Sequence, residues 1–181
     1  MPTHRIRIGS LPRGEPLSDE GEGLRLRDLL LRALSRGQAP PVAVALRARR
    51  VDLVDLRDAA ATGMTLEAFL AGLTRAEVPD DGPPEAVGVL GAFRPRDGGV
   101  PVALAFLEWA DCRWWCWRAA LAAAGGGVRD DTVTVRSAVE GDRLPDGLGR
   151  WWSLGRRTGA RVALRPAGDD EAPLDAPPLV H

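Results

Sequence analysis

Carboxylates beside glycines and aromatic rings are the first places to look for chemistry in this chain. Glu108 and Asp111 close an apolar run, and Asp130 and Asp131 follow Gly125-Gly126-Gly127. Two carboxylates held together bind a divalent cation or divide acid and base work between them. The pairs open to that use are Glu108 with Asp111 or with Asp131. The same residue types more often form turns and caps. The glycine triplet matches neither a dinucleotide-binding loop nor a Walker loop, so it reads as a connector. Cys112 and Cys116 would share one face of a helix. They lack Cys-x-x-Cys spacing and a second ligand pair, so they read as small buried hydrophobes.

The missing residues remove most other mechanisms. His4 and His181 are the two histidines, both at chain ends, so a Ser-His-Asp or Cys-His site would draw its base from a terminus. All 24 basic residues are arginine. Without lysine there is no Walker A loop and no Schiff base. The ligands are too few for a His/Cys metal site. The sequence therefore points away from catalysis, and to no cofactor and no metal. Tyrosine and asparagine are also absent, while alanine, glycine and proline abound. This bias fits a GC-rich bacterial genome, in which arginine carries less meaning as a phosphate or carboxylate ligand.

What the sequence has in place of catalytic sets is tryptophan beside arginine. Five of the six tryptophans fall in CRWWCWR (112–118) and RWW (150–152), with Trp109 just before them. Trp and Arg dominate binding hot spots, because a rigid ring and a planar cation give much contact for little entropy. Arg113, Trp114, Trp117, Arg118, Arg150 and Trp151 are the candidate partner-binding residues. The competing reading places these rings in the core, with arginines stacked on their edges. Charge follows the same division. Residues 1–112 carry 14 arginines against 16 acids, residues 113–165 ten against five, and residues 166–181 none against four. The aromatic segment is thus also the basic one, a pattern that suits an acidic partner or stacked nucleic-acid bases. A net charge of −1 is low for a dedicated nucleic-acid binder.

The expected function is therefore a non-catalytic interaction or assembly subunit, binding another protein or a second copy through the Trp/Arg surface. The alternative is a nucleic-acid-binding or -processing protein using residues 112–165, and a third reading is a small carboxylate- or metal-dependent enzyme. No run of apolar residues reaches membrane-spanning length, and MPTHRIRIGS has no apolar signal core, so a cytoplasmic protein is expected.

The elements that must position these residues follow from periodicity. Ile6 and Ile8 alternate in a first strand over 3–9, and 10–18 reads as loop. Ser18 caps a helix over 19–36, with Leu26, Leu29, Leu30, Ala33 and Leu34 as its apolar stripe. Val42, Val44 and Leu46 alternate, then Val51 and Leu53, in one bent strand or two paired ones. Thr65 caps a helix over 66–76. Residues 86–93 and 100–109 read as a β-hairpin turning at Asp97-Gly98, apolar on both faces and so central in the sheet. Segment 110–124 is open between helix and strand; as a strand it sets Trp115 and Trp117 on one face and Trp114 and Cys116 on the other. A strand over 131–139, a helix over 145–157 and a short strand over 160–165 complete the domain.

The fold class expected is α+β, with mixed α/β also allowed. It has a single sheet of about five or six strands, a central hairpin and two to four helices. Residues 1–165 form one domain with a possible break at 79–85 (PDDGPPE), and the Pro/Asp/Ala-rich tail 166–181 is expected to be disordered.

Overall fold

The computed structural model describes residues 8–36, 41–57, 63–78, 81–93, 102–111, 113–121, 136–137 and 151–159. The expected hairpin turn at 97–98, the strand over 160–165, the tail 166–181, Cys112, Asp130, Asp131 and Arg150 lie outside the described residues.

Among the described residues seven strands form one antiparallel sheet: β1 (Ile8–Pro12), β2 (Val42–Leu46), β3 (Arg50–Asp55), β4 (Ala86–Phe93), β5 (Val102–Trp109), β6 (Trp114–Ala120) and the two-residue β7 (Arg136–Ser137). Their order across the sheet is β1-β3-β2-β4-β5-β6-β7. Three described helices cover it: α1 (Asp19–Ser35), α2 (Leu66–Leu73) and α3 (Trp151–Thr158). This is an α+β fold. The β4–β5 hairpin is central, as its two-faced apolar pattern requires, and strands from both sides of 79–85 pair directly, β2 with β4.

Each capped helix begins where its cap predicts. The Ser18 hydroxyl accepts the Gly21 N–H at 3.1 Å, and Thr65 accepts the Ala68 N–H at 3.2 Å. α1 lies over β4, β5 and β6 on one face. There Leu26, Leu30 and Leu34 pack on Val44, Leu107, Trp109, Trp115 and Trp117. On the opposite face α2 and α3 bring Phe69, Leu70, Leu73, Trp151 and Trp152 against Ala43, Val54, Val89 and Phe106. Gly23 is the point of closest approach on the α1 side, because a Cβ there would overlap the Trp115 ring. Gly23→Ala is expected to lose about 1–3 kcal/mol through overpacking, measured by urea unfolding at constant m-value.

Several boundaries differ from the sequence reading, each for a physical reason. Segment 114–120 is a strand, because its side chains alternate between the two faces and pair with β5 in register. The alanines that favour a helix are overridden by this pairing. Ser10–Pro12, expected as loop, belong to β1; the Ser10 hydroxyl donates to Asp52 Oδ1 on β3 at 2.7 Å. Pro12 is tolerated at the end of an edge strand, where no main-chain donor is needed. α2 stops at Leu73 rather than 76, with the Thr74 hydroxyl turned back to the Ala71 carbonyl. α3 is described from Trp151.

Candidate docking groove

α1 packs on one face of the sheet, where Val44 and Leu46 of β2, Val51 of β3, Leu107 of β5 and Trp115 of β6 are buried with Leu26, Leu30 and Leu34, while Leu11 of the outermost strand β1 stays exposed beside it. A groove of about 340 Å³ runs there. Its floor is Leu11 of β1, Val51 of β3, Leu46 of β2, and Leu26 and Leu29 of α1. Leu11 is 39 % exposed, although Val51, its partner across β3, is buried.

A buried ion network closes one end of the groove. Arg13 Nε donates to Glu22 Oε1 at 3.1 Å, and Arg13 Nη1 donates to the Arg47 carbonyl and to Glu85 Oε2, each at 2.8 Å. Glu22 also accepts the Leu17 N–H at 2.9 Å. Arg13 and Glu22 are therefore positioning residues, joining β1, α1 and the segment before β4. The outer rim is Arg25, Asp28 and Arg32 of α1. Arg25 Nη1 donates to the carbonyls of Arg13 and Glu15, at 2.7 and 3.0 Å. Its nearest carboxylate among the described residues is Glu22, 3.8 Å away. Arg32 donates to the Asp28 carbonyl at 3.3 Å. Asp28 itself is held by Arg27.

The tryptophan–arginine set is dispersed by the fold. Trp117 and Trp151 are each 2 % exposed and belong to opposite cores. That corrects their expected role as contact residues: neither ring reaches the surface. Trp109, Trp115 and Trp152 are buried as well. Trp114 is half-buried, with its ring stacked near Phe106, and Arg118 is exposed on the same face of β6. Arg113 is exposed but engaged. It pairs with Asp111 at 2.6 Å and with Asp19, and lies over the Trp109 ring. In this way it ties the start of α1 to the β5–β6 turn. Desolvation, the largest single effect, raises the Asp111 carboxyl, but the hydrogen bonds and charge of Arg113 together outweigh it and hold the group below the usual range.

The carboxylate pair is also separated by environment. Glu108 is fully buried beneath α3, where Oε2 accepts the Trp151 N–H at 3.1 Å and its main-chain carbonyl accepts the Trp152 indole N–H at 2.8 Å. Burial raises the Glu108 pKa to about 7, partly offset by the main-chain N–H groups of Trp151 and Trp152. Asp111 is exposed in the turn. Glu108 thus anchors a helix and presents no carboxyl to solvent. Cys116 is half-buried, and burial pushes its thiol up to about 11 despite Arg118, so little thiolate forms near neutral pH.

Sequence reasoning missed the groove because Leu11 fell in a presumed loop and Leu29 was counted with the buried stripe of α1. The signal was present in α1. Arg25, Leu29 and Arg32 recur at four and three residues, so a polar-rimmed apolar patch lies on one helix face.

No helix among the described residues is long and apolar enough to cross a membrane. Compared with known proteins, the chain matches no family model, no curated protein and no solved structure.

Proposed function

We propose that the chain is a non-catalytic interaction or assembly subunit of the cytoplasm that binds another protein in the groove between α1 and the β1–β3 half of the sheet. The observation that carries this reading is the exposed Leu11 and half-buried Leu29 beside two α1 arginines that, among the described residues, hold no carboxylate within hydrogen-bond distance. Exposed apolar surface with a polar rim is the usual anatomy of a protein contact. The occupant is an acidic, apolar segment of a partner. Its aliphatic side chains cover Leu11 and Leu29, and its carboxylates meet Arg25 and Arg32. A nucleic-acid reading has less support, because stacking needs open rings and only Trp114 among the six is partly open.

Affinity capture from native lysate tests this, with nuclease-treated and untreated samples compared for wild type, Leu11→Glu and Arg118→Ala. Leu11 is exposed, so its substitution leaves the fold intact, checked by an unchanged melting profile. The expected result is a stoichiometric protein that survives nuclease, is retained by Arg118→Ala, and falls at least about tenfold with Leu11→Glu. Retention on Leu11→Glu, or loss on nuclease treatment, contradicts the reading.

A further inference from the structure

We infer that the partner segment enters the groove extended, as an added strand hydrogen-bonded to the outer edge of β1. This deepens the docking reading above and rests on it. Three observations carry it.

The first is the edge itself. Among the described residues β1 pairs with β3 alone, so its outward row, Ile8, Ser10 and Pro12, the last offering only a carbonyl, has no strand beside it. Such an edge is a template for an incoming strand, and that mode of recognition gives affinity through the main chain and specificity through alternate side chains. The second is the shape of β1 on the α1 side. Its residues there are Gly9 and Leu11, opposite Leu53 and Val51 in register. At Gly9 a Cβ would meet the Leu53 carbonyl oxygen at an ordinary contact distance of 3.9 Å, so a neighbouring side chain has room there. An incoming strand places every second side chain over this opening, beside Leu11 and Leu29.

The third is charge. Arg25 and Arg32 stand two turns apart on the helix that walls the groove, and Glu22, the nearest acid to Arg25, is committed to Arg13. A segment that alternates aliphatic and acidic residues meets both demands. A second copy of this chain would bring the same arginines to the same rim. A helical occupant would cover the leucines but leave the β1 edge unpaired.

A displayed library of short random peptides, selected on the full chain and counter-selected on Leu11→Glu, tests this directly. Enriched peptides are expected to alternate Leu, Ile, Val or Phe with Asp or Glu at a spacing of two. N-methylation at alternate positions of an enriched peptide is expected to weaken binding about tenfold, the loss of a main-chain hydrogen bond or two. Charge reversal by Arg25→Glu with Arg32→Glu is expected to switch the preference to Lys and Arg. Enrichment at spacings of three and four, or indifference to N-methylation, overturns the strand inference and leaves the docking reading standing. Absence of any peptide that distinguishes wild type from Leu11→Glu overturns both. A dimer in sedimentation that Leu11→Glu dissolves assigns the groove to a second copy and overturns the acidic-partner inference.

Discussion

Trp151→Ala is expected to destabilise the fold by about 3–5 kcal/mol, while Trp114→Ala costs under about 1.5 kcal/mol. The difference comes from position, since both residues are tryptophan beside arginine in sequence. The Trp151 ring meets Phe106 edge-on at a centroid distance of 5.1 Å and is 2 % exposed. Its main-chain N–H is also the donor to Glu108 Oε2. Removing the ring leaves a cavity between β5, α2 and α3, and the surroundings relax only partly. The described α3, Trp151–Thr158, is short and depends on docking for its helicity. Trp114 is half-buried on an outer strand, so solvent fills much of the space it leaves. Urea unfolding of both variants, with m-values compared to wild type, reads the difference. Equal losses for the two would mean that Trp151 is not the anchor of α3.

The second large effect is on pH dependence. Glu108→Gln is expected to remove a loss of stability that wild type suffers between about pH 4.5 and 7. Burial favours the protonated carboxyl, with the N–H groups of Trp151 and Trp152 acting against it, so the folded pKa lies near 7 against an ordinary 4.5. The folded state therefore binds more protons than the unfolded state in that window, and stability falls as pH rises through it. Below 4.5 both states are protonated and nothing is lost; above 7 the loss is complete. A gap of that size corresponds to about 3 kcal/mol for this group alone. The amide that replaces the carboxyl is uncharged throughout and keeps an oxygen for the Trp151 N–H. The variant should match wild type near pH 4 and exceed it by up to about 3 kcal/mol near pH 8. Denaturation midpoints for both proteins across this range decide the matter. Parallel profiles would show that Glu108 does not titrate in the fold.

The sequence was most informative where one periodicity dominated. Leu26, Leu30 and Leu34 gave α1 its buried face, and the two apolar runs around Asp97-Gly98 gave the central hairpin, because a strand covered on both faces reads as a continuous apolar run. Segment 110–124 was illegible for a definite reason. Its tryptophans alternate as in a strand, its alanines favour a helix, and only pairing with β5 across the turn before it decides between them.

The candidate site was harder to read than the fold. Trp and Arg mark contact surfaces by frequency, but a ring's face is fixed by register. The register placed Trp115 and Trp117 under α1, and Trp151 against Phe106. The groove arises at the edge of the buried cluster: the residues packed under α1 run through β2 to Val51 of β3, and β1 extends past them with Leu11 exposed. No local pattern encodes how far a sheet extends past a helix. Leu11 becomes meaningful only once β1 is paired to β3.

The central claim is that a partner occupies the groove beside α1 and leaves the β6 surface free. Hydrogen exchange of the full chain, alone and with the protein captured by it, tests this most directly. Slowed exchange confined to β1 and the Arg25–Arg32 stretch of α1 is the result predicted. Slowed exchange at 113–118 with β1 unchanged would return the contact to the tryptophan–arginine strand and contradict the account.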